Sequence, residues 1–228
     1  MFVPLHDDTP LKVIRFQFMT LSLVIANVVL FLMTVAFQPD QVLAAIAAGF
    51  GLVPSELLGH APVGGLNPLP EPATLFTYMF LHAGWIHLIS NMLFLWVFAD
   101  NIEDAFGTFG FLLFYLLCGI AGGLTHVLMT SESAAPLIGA SGAVSGVLAA
   151  YMMLYPKARV LVLFFTYFPW RMSALWVLGI WFAFQIVSLY LAGPDDAVAW
   201  WAHIGGFVAG LLLTFLLRSR LLTGAGTG

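Results

Sequence analysis

A serine hydroxyl, an imidazole and a side-chain amide can together perform acyl transfer, and this chain sets all three inside apolar stretches. Ser141 lies in Gly139-Ala140-Ser141-Gly142, where a short apolar helix ending near Pro156 begins. A helix start offers unused backbone N–H groups and the positive pole of the dipole, which suit a serine nucleophile. They suit an N-cap equally well, and the tetrapeptide alone favours the cap. His203 and the pair His87 and Asn91 change that balance. His87 and Asn91 are four residues apart and share one helix face, and an imidazole is the group a serine needs as general base. Interhelical hydrogen-bond glue is the plainer role for His87 and Asn91. His82 reads as structural.

The elements that must position these groups are membrane helices. The 228 residues are 61% hydrophobic and 8% charged, with a mean hydropathy of +1.01. Such a chain cannot present a polar surface to water on all sides, so it is an integral membrane protein in contact with a lipid bilayer. No basic patch suggests nucleic acid. Cys118 is the single cysteine and permits no intrachain disulfide.

Residues 1–11 form a polar lead, followed by Lys12 and Arg15. An apolar run to residue 37 is too long for a secretory signal and reads as a first span. Residues 38–81 make a Pro- and Gly-rich connection whose apolar pieces, 42–48 and 75–81, are too short to cross and suit small interfacial helices. Further spans are expected over 84–99, ended by Gly107, and over 109–129, then a short fourth helix from Ser141, a fifth over 172–191 and a last over 200–217. Residues 157–170 form an amphiphilic connection, Gly193-Pro194 breaks the fifth span, and residues 221–228 read as a disordered tail. The fold class is therefore all-α: a single domain over 1–228, a six-helix membrane bundle with a core of about 13–217, a short central fourth helix, and tails at 1–12 and 218–228.

With six spans and a cytoplasmic N-terminus, Lys12, Arg15, Lys157, Arg159, Arg171, Arg218 and Arg220 all fall on the cytoplasmic side, with both termini. Trp85, His87, Asn91, Ser141 and His203 then converge in the outer half of the membrane, where unpartnered polar groups are costly and function is the default reading. Gly142, Gly146 and Ala150 recur every four residues, as do Ala202, Gly206 and Gly210. Packing one stripe on the other would bring Ser141 near His203. No carboxylate lies near His203 in sequence, so its orientation must come from packing or from an unidentified partner.

The segments His82-Ala83-Gly84-Trp85-Ile86-His87 with Asn91, Gly139-Ala140-Ser141-Gly142 and Ala202-His203-Ile204-Gly205-Gly206, in this order on three spans, resemble the rhomboid family of intramembrane serine proteases. The resemblance covers about residues 13–217 and includes the Glu103 to Gly107 spacing. It implies a Ser–His dyad, with Ser141 as nucleophile and His203 as general base and acid. His87, Asn91 and the Ser141 N–H would stabilise the oxyanion. Gly139, Gly142 and Gly206 would be structural near the site, and His82 would hold the first loop. Substrates would be membrane proteins cut in or beside a transmembrane helix, without metal or cofactor. Family likeness and the Gly193-Pro194 break make the fifth span the expected gate.

Two departures stand out. Ser145 occupies a position where many members carry an aromatic that packs on the histidine, and the first loop lacks a Trp-Arg pair. A catalytically silent rhomboid-like protein that binds transmembrane helices is the alternative. A metal site or transporter built on His82, His87 and His203 is a third reading, but His-Glu-x-x-His is absent. The compact chain suggests a bacterial inner membrane, and the oligomeric state is left open.

Overall fold

A computed structural model describes residues 2–61, 68–164, 167–193 and 198–224. The order is β1 (Phe2–Asp7), α1 (Phe18–Thr34), α2 (Asp40–Phe50), α3 (Pro54–Leu57), α4 (Thr74–Thr77), α5 (Trp85–Phe106), α6 (Thr108–Met129), α7 (Ser141–Leu154), β2 (Arg159–Phe164), β3 (Phe168–Ser173), α8 (Ala174–Leu191) and α9 (Trp200–Gly224). Among the described residues, α5, α6, α8 and the Trp200–Arg218 part of α9 are long and apolar enough to span a membrane. Of the six spans expected, these four reach full length. The helices α1 and α7 are apolar but shorter, at 17 and 14 residues.

Helix α7 is the hub. Every residue from Gly142 to Tyr151 is buried, as expected of a helix that is small and apolar all round. Its length, about 21 Å at 1.5 Å per residue, leaves the Ser141 end short of a full crossing. Glycine lets three backbones meet there. A Cβ at Gly206 or Gly210 of α9 would overlap the Gly142 or Gly146 backbone of α7, and one at Gly122 of α6 would come within 2.7 Å of the Ala202 carbonyl oxygen. The two expected small-residue stripes therefore do face each other, with α7 and α9 running in the same direction and α6 opposed. Gly107 turns the chain directly from α5 into α6 at a φ of 73°, a positive value open to glycine.

Two expectations are corrected at the other end of the bundle. The fold is mostly helical but not all-α: β1, β2 and β3 form an antiparallel sheet in that order, with Val3 opposite Leu163 and Leu161 opposite Arg171. Phe2–Asp7 is thus a strand rather than part of a tail, and Arg159–Phe164 pairs with Phe168–Ser173 where a connection was expected, with Val160 and Val162 alternating inward and fully buried. Residues 218–224 are also helical rather than a tail; 225–228 lie outside the described residues, as do Pro194, Asp195 and Asp196 of the expected break.

Acidic side chains fasten this end. Asp104 accepts the backbone N–H groups of Lys12, Val13 and Ile14 at 2.7–2.9 Å. Glu103 accepts those of Met19 and Thr20 at 2.9 and 2.8 Å, satisfying the first turn of α1, which has no intrahelical acceptors of its own. Tyr151 of α7 donates to Asp7 of β1. The segments carrying Lys12, Arg15, Lys157, Arg159 and Arg171 gather at this end, opposite Ser141.

Candidate active site

Ser141 is the first residue of α7, and Ala140 is the N-cap with no side-chain capping bond. The hydroxyl therefore does not cap its helix. Its Oγ lies 2.8 Å from Nε2 of His203 on α9, a hydrogen-bond distance produced by the close α7–α9 packing.

Gly139 and His87 complete the approach to this pair. Gly139 sits at φ 129°, its N–H donating to the Tyr78 carbonyl at 2.9 Å. A Cβ there would come within 2.7 Å of His87 Nε2 and 3.7 Å of Ser141 Oγ, so His87 stands directly over the serine's side of the loop. His87 Nδ1 accepts the Ala83 N–H at 3.3 Å. The neutral ring then carries its proton on Nε2, which faces the site as a donor. One turn on, buried Asn91 donates from Nδ2 to the His87 carbonyl at 2.9 Å, and its second N–H remains to be used.

His82 is buried, and its ring lies edge-on to His87 with centroids 5.1 Å apart. Burial first, and then the neighbouring His87, pushes its pKa down to about 3, which favours the neutral ring. His60 joins the two loops at the Ser141 end through Glu132, 2.9 Å away.

One residue escaped the sequence reading. Gln185 of α8 is buried, and its Oε1 lies 2.8 Å from His203 Nδ1. Its signal was a lone amide in an otherwise apolar span. The aromatic contact missing at Ser145 is also supplied from elsewhere: the rings of Trp181 and Trp200 lie 6.2 and 6.0 Å from that of His203. Ser145 instead donates to the Ser141 carbonyl at 2.6 Å. Among the described residues no group of three or more His, Cys, Asp or Glu is placed to hold a metal ion.

Residues 70–220, which include Ser141, His203, His87, Asn91, His82 and Gln185, match the family model described as Rhomboid domain. The chain belongs to the rhomboid family. RHOMBOID-like protein 6, mitochondrial, of Arabidopsis thaliana is 34% identical over 68% of this chain and 46% of its own length. RHOMBOID-like protein 1 of the same plant is 30% identical over 83% of this chain and 45% of its own. Rhomboid protein 1, mitochondrial, of Saccharomyces cerevisiae is 31% identical over 64% and 44%. The chain thus spans less than half the length of these relatives. All three are eukaryotic, and they lend no support to the expectation of a bacterial inner membrane. With four helices of spanning length and family membership, this rhomboid is an integral multi-pass membrane protein.

Proposed function

We propose that this rhomboid is an intramembrane serine endopeptidase that hydrolyses peptide bonds in or beside transmembrane helices of membrane-protein substrates. The observation that carries the reading is the 2.8 Å contact between Ser141 Oγ and His203 Nε2, made between two helices at the submerged end of α7. In this reading α1 and α7 complete a six-span path with both termini cytoplasmic, because the basic segments gather at the end away from Ser141.

The reaction follows from the geometry. As Ser141 Oγ bonds to the scissile carbonyl carbon, its proton passes to His203 Nε2 and the carbonyl electron pair moves onto oxygen. His87 Nε2–H, the free Asn91 N–H and the Ser141 backbone N–H are the donors for that oxyanion, each worth ~3 kcal/mol in a low-dielectric site. Collapse expels the amine, which takes the proton from His203. A water molecule then repeats the sequence on the acyl-enzyme, with His203 again as base, and releases the carboxylic acid. No metal or cofactor enters these steps.

The test is fluorophosphonate labelling of the purified chain beside Ser141→Ala, together with cleavage of a transmembrane substrate. Labelling and cleavage in the wild type, both lost in Ser141→Ala, are expected. A folded wild type that binds transmembrane peptides yet neither labels nor cleaves would leave the silent binding protein instead.

A further inference from the structure

We infer that Gln185 on α8 is a positioning residue that sets the tautomer of His203, so that the seating of α8 decides whether the base can act. The inference rests on the proteolytic reading for its consequence but on hydrogen bonding for its chemistry.

An amide can be turned either way, and here the backbone decides which. Gln185 Nε2 lies 3.3 Å from the Trp181 carbonyl oxygen, a group that only accepts, so the NH₂ end must point there. The Oε1 end therefore faces His203 Nδ1 at 2.8 Å. A carbonyl oxygen cannot donate, so Nδ1 must carry hydrogen. In the neutral ring this leaves the lone pair on Nε2, 2.8 Å from Ser141 Oγ. Only that tautomer can accept the serine proton. The opposite one would point an N–H at Oγ and could not act as a base.

The choice of an amide has a physical reason. A carboxylate at this buried position would need a charge within a membrane span, which is costly without a partner. An amide supplies the acceptor without the charge. After proton transfer the imidazolium still donates from Nδ1 to the same oxygen, so nothing has to reorganise as the charge appears.

The placement of that acceptor links two parts of the bundle. Ser141 and His203 sit on α7 and α9, whose backbones are locked by the Gly142–Gly206 and Gly146–Gly210 contacts. Gln185 sits on α8, the least embedded of the four long apolar helices. A movement of α8 that lengthens the Gln185–His203 contact past about 3.5 Å ends the hydrogen bond. The serine and imidazole then remain adjacent while the tautomer is no longer specified. Displacing α8 thus weakens the base without taking the dyad apart.

The experiment compares the full chain with Gln185→Met, which keeps the volume but puts a weakly accepting thioether in place of the amide oxygen. The ring-nitrogen ¹⁵N shifts of His203 report its tautomer, the fluorophosphonate labelling rate reports the base, and thermal melting reports the fold. The wild type should show hydrogen on Nδ1. Gln185→Met should lose that single tautomer and label on the order of 10²-fold more slowly, with kcat falling, KM little changed and melting preserved. A Gln185→Met protein with the wild-type His203 tautomer and labelling rate overturns the inference. A variant too unstable to measure is replaced by Gln185→Leu under the same criteria. An unreactive wild type would sink the proteolytic reading alone, since the ¹⁵N comparison still decides the tautomer.

Discussion

Gly139 and His87 compete for one volume: the space where a Gly139 Cβ would stand is within 2.7 Å of the His87 Nε2 atom. The glycine is therefore required twice over, once for its φ of 129° and once so that the imidazole can lie over the loop leading to Ser141.

Gly139→Ala should consequently reduce fluorophosphonate labelling by about 10²-fold, by driving the His87 ring from the proposed oxyanion position. Gly179→Ala on α8, where a Cβ meets nothing within 4 Å, should label like wild type. Equal rates for the two variants would remove the steric claim.

Ser141→Ala and His203→Ala should each lower substrate cleavage by on the order of 10³-fold or more while leaving thermal melting within a few degrees of wild type. Strong chelators should leave wild-type cleavage unchanged, because every step is assigned to protein groups. Chelator-sensitive cleavage that persists in Ser141→Ala would point to different chemistry.

His87→Ala and Asn91→Ala remove the proposed oxyanion donors rather than the proposed nucleophile. Each should lower kcat by about 10²- to 10³-fold, without abolishing slow labelling. Of the two, Asn91→Ala should also perturb His87, since the Asn91 amide holds the His87 carbonyl at 2.9 Å. Wild-type kcat in both variants would mean that the oxyanion is held elsewhere.

Gly206→Ala should destabilise the bundle, because its methyl would overlap the Gly142 carbonyl where α7 meets α9. Forced separation of packed elements typically costs about 1–3 kcal/mol, and here the obstacle is backbone that cannot rotate away. The melting temperature should fall, and labelling of the surviving folded fraction should fall with it as His203 retreats from Ser141. Unchanged melting would contradict the close packing.

Asp104→Ala should separate stability from chemistry. Its carboxylate holds three backbone N–H groups ahead of α1, and hydrogen bonds to charged groups contribute about 1.5–3 kcal/mol each at most. Melting should drop clearly, whereas labelling per folded molecule should stay at the wild-type rate, since the site lies at the other end of the bundle. A selective loss of labelling would couple the two ends.

Much of the candidate site was legible because membrane burial makes polar residues conspicuous. Ser141, His203, His87 and Asn91 each interrupt apolar runs, and the four-residue spacing of Gly142, Gly146, Gly206 and Gly210 announced helices able to touch. The sheet was harder to read. Its strands are only six residues long, β1 mixes Pro4, His6 and Asp7 into a polar lead, and pairing between residues 2–7 and 160–164 is a long-range event without a local pattern. The roles of Glu103 and Asp104 were hidden for the same reason, since the backbone groups they hold lie more than 80 positions away.

By itself the sequence determined that the chain lives in a bilayer, where its helices begin and which polar groups they carry, because composition and periodicity are local properties that hydrocarbon enforces residue by residue. Only the tertiary structure decided that Ser141 binds His203 rather than capping its helix, and that Gln185 holds the other side of the imidazole. Those contacts join α7, α8 and α9 across chain separations of 62 and 18 residues, and hydrogen-bond geometry at that range depends on how whole helices pack, which no neighbouring residue encodes.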